Sequence, residues 1–394
     1  MITLEKALNL TLSYDFNPSF EIEYFLNSYN RVLAQDVVSD IDLPPFDRSA
    51  MDGYAFNKKN IDQFCDVVEI IPAGKLPEKT INDNQCSKIM TGAIIPRGAD
   101  CVIPVENIEI NSYGKVRCNK PVKSDNICKR GEDVKKGQIV LSKGTIIKHS
   151  HIAVMAAVGC INPLLYHKVN VSIASTGDEI IEPYITPDIA KIRNINSYQL
   201  VSQIKEIGAN VSYVGIIKDD INSIKEQFTK ILPVTDVLIF TGGVSMGDFD
   251  FIPTLLNEIN AKVIYKSIAI QPGRPTVFAK INNKFVFGLP GNPVSSYIIC
   301  KLIVKPFLLK MMGASDDNIN ELQFKFPLAV NYERKNSERL AIIPVKINSN
   351  LEVLPVDYHG SAHINALAKA QAIAFIPIGV KSLKKGEIIN VRPL

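Results

Sequence analysis

Apolar positions along the chain change period several times, and each change marks a boundary. Near the amino terminus Leu4, Ala7 and Leu8, then Ile22, Phe25 and Leu26, fall at helical spacing, which predicts helix over residues 1 to about 40. From Pro44 to about residue 140 the chain is rich in Gly, Pro and Asn, with short β-branched runs at 101–105 and 138–141. That texture predicts a strand-dominated domain with long loops. Residues 151–159 then read as a short apolar helix closed by Gly159.

Between 169 and about 312 apolar runs alternate with amphipathic stretches. Residues 169–174, 211–217, 237–240, 262–266 and 285–287 read as strands. Leu200, Val201, Ile204 and Ile207 mark one face of a helix that Gly208 ends; further helices are predicted over 221–231, 251–259 and from 294. Strand and helix alternation of this length predicts βαβ crossovers, hence a doubly wound, mostly parallel α/β domain. From about 318 only short strands recur, at 340–347, 351–356, 372–378 and 387–391, which predicts a small closing β-barrel. The fold class is multidomain α/β. A helical and strand linker covers 1–43 and 141–168, an inserted β-rich domain 44–140, the α/β domain 169–317, and the barrel 318–394.

Composition narrows the class. Of 394 residues, 46% are hydrophobic and 21% charged, which excludes a disordered or collagenous chain. A formal net charge of +4 and the absence of a basic block argue against nucleic acid. The 7 cysteines contain no CxxC pair, so reduced thiols in a cytoplasm are expected rather than disulfides or a zinc knuckle. Glu5 and Lys6 interrupt any signal-peptide core, and the apolar run 152–158 is far short of the ~20 residues that span a bilayer. A soluble, cytoplasmic protein without membrane contact is expected.

In an open parallel sheet, ligands gather at the carboxyl ends of the strands. The loops there read Ser175-Thr176-Gly177-Asp178-Glu179, Asp219-Asp220, TGGVSMGDFD (241–250) and GLPGNP (288–293). Gly242, Gly243 and Gly247 permit backbone N–H groups to converge on phosphate oxygens, although a Gly-Gly pair also serves as a plain tight turn. Asn292 and Pro293 open a helix whose first N–H groups favour an anion. Glu179, Asp219 and Asp250 beside such a cradle suit Mg²⁺, which takes one or two carboxylates together with substrate phosphates. For Asp219 and Asp220 helix capping competes with that reading, and for Asp219 it is favoured. Apart from this rim, FDRSAMDGYA (46–55) interleaves aromatic and apolar residues with acids, a pattern of a loop both packed and polar. MTGA (90–93) and GEDV (131–134) are lesser candidates.

Taken in order, FDRSAMDGYA, MTGA, GED followed by KKG, STGDE, TGGVSMGDFD, PGRP and GLPGNPVS resemble the molybdopterin molybdotransferase family, MoeA, which is similar to the E domain of gephyrin. The resemblance implies the last step of molybdenum cofactor synthesis: adenylylated molybdopterin is cleaved, AMP leaves, and molybdate enters at the dithiolene sulfurs. It implies Asp52, Thr91, Asp133, Glu179, Asp219 and Asp250 as catalytic positions. Gly242, Gly243, Ser245, Arg274, Pro290, Asn292, Pro293 and Ser361 would bind substrate, with Glu179 and Asp250 holding Mg²⁺. It also implies an elongated homodimer, each site shared by two chains, and leaves room for contact with other enzymes of the same synthesis.

The chain departs from the family where KPGKP becomes Gln271-Pro272-Gly273-Arg274-Pro275. Arg274 keeps one charge and can grip an oxyanion through two N–H groups, while Lys266 stands about one residue from the familiar lysine. The oxyanion's basic partner stays open at this point, and Arg339 and Ser361 are further candidates. Molybdate and tungstate are both tetrahedral dianions that the motifs fit equally. Two other readings compete: an adenylyltransferase acting one step earlier, and a gephyrin-like scaffold without catalysis. FDRSAMDGYA favours insertion over the former, and the set Asp52, Glu179 and Asp250 over the latter.

Overall fold

The computed structural model describes residues 1–121, 124–243 and 251–394. The chain forms two compact units. One comprises Met1–Gln35, Lys143–Ile152 and Asn162–Leu394; the other comprises Asp36–Ser142 and Ala153–Ile161.

The larger unit contains a six-stranded sheet in the order Asn210–Ile217, Asn170–Thr176, Val237–Thr241, Lys284–Leu289, Val277–Ile281, Lys262–Tyr265. The first four strands are parallel, as the alternating pattern predicts. Their register aligns Thr176 with Ile217, Ser175 with Thr241, and Thr241 with Leu289, so all four end at one rim. Both faces are apolar and covered, which explains the continuous hydrophobic runs. Helix Asn196–Ile207 buries Leu200, Ile204 and Ile207 on one side; Ile221–Ile231 and Phe251–Glu258 bury Ile224, Phe228 and Leu255 on the other.

Three local readings change. Helix near the amino terminus is limited to the α-helix Leu4–Thr11 and a single 3-10 turn at Phe25–Asn27; Ser13, Asp15 and Asn17 compete for the backbone and Pro18 cannot continue the first. Phe20–Ile22 pairs instead as a strand with Leu164–Tyr166. Strand Val277–Ile281 escaped the sequence reading, although Asn282 at φ 52° makes the tight turn that pairs it with Lys284–Leu289. The helix cap before Ile221 is Asp220, whose carboxylate accepts from Ser223 N at 2.8 Å. Asp219 does not take that role.

The barrel prediction is met by pairing that closes on itself. Phe324–Pro327, Ile388–Pro393, Ala372–Ile376, Leu340–Ile347 and Val353–Pro355 pair in sequence, and a Leu328–Val353 bridge completes the ring. Ile270–Gln271 pairs with Leu340–Ala341, tying the barrel to the α/β layer within the same unit.

The smaller unit is strand-built, with a four-stranded sheet in the order Asp66–Ile71, Gln85–Ile89, Gly53–Phe56, Cys101–Pro104. Its core contains Phe56, Ile103 and Val116 together with Cys65, Cys86, Cys101 and Cys118. Burial pushes the Cys86 and Cys101 thiols up to about 12, so they act as small apolar side chains. Gly53 of FDRSAMDGYA is required by packing: a Cβ there would lie 2.2 Å from the Ile103 carbonyl oxygen.

Candidate functional site

Four loops meet at the carboxyl rim. Gly242 and Gly243 have φ of 93° and 61°, and a Cβ on them would lie 2.4 Å from the Thr176 carbonyl oxygen and 2.7 Å from Thr176 Oγ1. The close approach of the neighbouring strand end therefore demands both glycines. Gly242 N donates to Leu289 O at 3.2 Å, so its N–H already serves the fold. Gly243 stands near Asp219, whose Oδ1 would be 3.8 Å from a Cβ there, and Asp219 N donates to Asp178 Oδ1 at 3.3 Å. Glu179 is exposed on the same rim. Ser245 and Asp250 lie outside the described residues.

The Pro290–Pro293 turn is held from three sides. Thr241 Oγ1 donates to Pro290 O at 3.4 Å, Asn196 Nδ2 donates to Gly291 O at 2.7 Å, and Asn292 Nδ2 donates to Ser361 Oγ at 2.8 Å. Asn292 begins helix Pro293–Ile299 without capping it through its side chain. Val294 N, one of the leading donors of that helix, is taken by Ser361 O at 3.0 Å.

Beside this turn opens a cleft of about 1270 Å³ between the α/β layer and the barrel of the same unit. Arg274, Pro290, Asn292 and Ser361 line it together, as does Ser295. Lys266, Arg334, Lys335 and Arg339 add four more cations, and no carboxylate is among the described lining residues. Arg334 is committed to the fold, donating to the carbonyls of Val380, Arg339 and Pro377 at 2.7, 2.8 and 2.6 Å. The remaining four guanidinium and ammonium groups have no ion pair among the described residues. A concavity of this charge suits a multiply charged anion. Lys335, Tyr332 and Tyr358, which also line it, were not singled out from sequence, because they sit in no contiguous motif.

In the smaller unit Asp52 and Thr91 come together: Asp52 Oδ1 accepts from Thr91 N at 2.7 Å and from Thr91 Oγ1 at 2.8 Å. These two bonds, the backbone one foremost, hold the Asp52 carboxyl below the usual carboxylate range. Asp47 is likewise lowered, first by Arg130 N at 2.8 Å and then by Lys129. Asp133 is exposed, with its backbone N–H on Leu43 O at 3.0 Å. FDRSAMDGYA and GED are thus stitched into one polar surface, which leaves Asp52 solvent-facing.

A doubly wound sheet with a cationic cleft beside it and a small barrel in the same unit, together with a strand-built second unit, defines a multidomain α/β protein. Residues 172–310 match the family model of a probable molybdopterin binding domain. Residues 2–159 match the MoeA N-terminal region, domains I and II, and 327–394 the MoeA C-terminal region, domain IV. A molybdopterin molybdenumtransferase of Staphylococcus epidermidis is 33% identical over 373 residues, 92% of this chain and 88% of that protein. One from Staphylococcus aureus is 31% identical over 376 residues, with the same coverage of 92% and 88%. The crystal structure of a molybdopterin biosynthesis MoeA protein from Pyrococcus horikoshii OT3 superposes with a TM-score of 0.82 at 29% identity, covering 100% of both chains. The chain belongs to the MoeA family of molybdopterin molybdenumtransferases and is a transferase of molybdenum cofactor biosynthesis.

Proposed function

We propose that this transferase inserts molybdenum by cleaving adenylylated molybdopterin, releasing AMP and passing molybdate to the dithiolene sulfurs. The observation that carries this reading is the cleft: five described cations line it with no carboxylate among the described lining residues, and it abuts the Pro290–Pro293 turn. Arg274 and Arg339 offer paired N–H groups to a tetrahedral dianion. Asn292, steadied by Ser361, orients the bound oxyanion. Gly243 and Ser245 belong to the loop that takes the substrate phosphates, while Thr91 keeps Asp52 ionised as a ligand or water-orienting base.

Mg²⁺ is part of the same proposal, with Glu179 and Asp250 as its holders. Among the described residues no three metal-ligating side chains converge. Asp178, Glu179 and Asp219 belong to neighbouring rim loops, and substrate phosphates would supply further oxygens to an ion held there. Bound there, Mg²⁺ would offset the charge of the phosphoanhydride. All 7 cysteines are free thiols. No helix among the described residues is long and apolar enough to cross a membrane. The division into linker, insertion, α/β domain and barrel, at the boundaries given above, belongs to this reading.

The test is purified chain with adenylylated molybdopterin, Mg²⁺ and molybdate, following AMP. Molybdate-dependent AMP release is expected; with ATP and molybdopterin supplied instead, ATP consumption with pyrophosphate release would support adenylyl transfer, and neither reaction would support a scaffold. Glu179→Gln should abolish Mg²⁺-dependent AMP release while the protein stays folded, and normal turnover would remove Glu179 from the metal site. Family resemblance supports a homodimer whose active sites each draw on two chains. Asp52→Ala and Glu179→Gln proteins, each inactive, should then regain activity when unfolded and reassembled together. Verified mixed dimers as inactive as their parents would exclude sharing.

A further inference from the structure

Two asparagines at the start of helix Asn196–Ile207 reach all four parallel strands at the rim. Asn194 Nδ2 donates to the Tyr213 hydroxyl at 2.8 Å, and Asn194 Oδ1 accepts from Ser175 Oγ at 3.0 Å. Those partners stand on Asn210–Ile217 and Asn170–Thr176. Asn196 serves the other two. Its Nδ2 lies 2.7 Å from Thr241 Oγ1, at the end of Val237–Thr241, and 2.7 Å from Gly291 O, in the turn after Lys284–Leu289.

A carboxamide carries two N–H bonds, and both are used here, one on each loop. The Thr241 hydroxyl, having accepted from Asn196, donates onward to Pro290 O. One side chain, only 7% exposed, therefore fixes the carbonyls of both Pro290 and Gly291 toward the sheet. The next residue, Asn292, lines the cleft. No other described side chain donates to Gly291 O, so without Asn196 this peptide has no such anchor and is free to turn.

We infer that Asn196 is a positioning residue for the oxyanion: it sets the Pro290–Pro293 turn relative to the glycine loop, and through that turn the place of Asn292. The inference rests on the proposed use of this cleft for molybdate. Asn196 touches no substrate; its effect reaches the anion through Thr241 and Gly291. Asn196→Asp keeps the shape but sets an oxygen against Gly291 O, and it draws the Thr241 hydroxyl away from Pro290.

Folded Asn196→Asp, checked by thermal unfolding, should need about tenfold more molybdate for half-maximal AMP release, with a smaller change in the rate at saturation. Thr241→Val should shift the same quantity less. Asn196→Ala with Thr241→Val should be no worse than Asn196→Ala alone, because both act on one route. An unchanged half-saturation in folded Asn196→Asp, or additive effects in the double variant, overturns the inference. Calorimetric titration of molybdate into the wild type and Asn196→Asp separates the two claims. A wild type that binds molybdate more tightly than the variant yet releases no AMP refutes the proposed reaction and upholds the positioning role. Equal binding, or no binding by the wild type, refutes the positioning role.

Discussion

At the rim of the parallel sheet three polar side chains are spent on the fold: Asn194 on Ser175 and Tyr213, Asn196 on Thr241 and Gly291 O, Asp220 on Ser223 N. In the cleft beside it, Lys266, Arg274, Lys335 and Arg339 have no ion pair among the described residues, and no described carboxylate lines the space. A satisfied network is rigid and holds its geometry whatever is bound. A set of like charges without partners repels itself and gains free energy when an anion arrives. The rim thus supplies shape and the cleft supplies attraction, and the two should respond to different perturbations.

Charge reversal in the cleft tests this most severely. Arg274→Glu exchanges an attractive group for a repulsive one, and half-saturating molybdate should rise about a hundredfold, roughly 2.7 kcal/mol. Added salt should weaken molybdate binding by the wild type and affect the variant much less. Thermal unfolding should barely change, since Arg274 has no ion pair to lose among the described residues. If stability falls while molybdate dependence stays, the cleft cations are structural and the comparison breaks.

A smaller effect is expected in the other unit, where Thr91 supports the Asp52 carboxylate through two bonds. A depressed carboxyl contributes stability above its unfolded pKa and loses it as pH falls through the folded value. Thr91→Val removes the hydroxyl donor and keeps the backbone one, which is the larger cause of the shift. The Asp52 pKa should therefore rise part of the way back, and the acid limb of the pH–rate profile should move to higher pH. Asp52 is solvent-facing, so the melting temperature should hardly follow. An acid limb that stays in place would show that ionisation of Asp52 does not control turnover.

How much of this was legible in sequence follows the same division. The four rim loops are contiguous motifs directly after apolar strands, and strand order brings their ends together without further information. The barrel was legible too, from short strands separated by Asn, Gly and Pro. The cleft was not, because Lys266, Arg274, Lys335 and Arg339 become neighbours only when the barrel packs on the α/β layer. Strand Val277–Ile281 was missed because its turn, Asn282-Asn283, interrupts a run that reads as one apolar stretch. Asn196 carried a faint signal, a polar residue at the first position of a helix following a rim loop. Its partners Thr241 and Gly291 lie 45 and 95 residues away, beyond any local pattern.

Ser361 joins the two materials, and its removal should have the smallest effect of the set. Its hydroxyl accepts from Asn292 Nδ2 at 2.8 Å, while its carbonyl accepts from Val294 N at 3.0 Å. Ser361→Ala removes only the first bond. Asn292 is exposed, so water can replace the lost partner, and the net contribution of such a bond is about 1 kcal/mol or less. The backbone bond to Val294 persists and keeps the turn in place. Half-saturating molybdate should rise by about threefold, with the rate at saturation and the melting temperature unchanged. A shift as large as that of Arg274→Glu would mean that Ser361 meets the oxyanion itself rather than steadying Asn292. No shift would mean that Asn292 holds its orientation without help from the barrel.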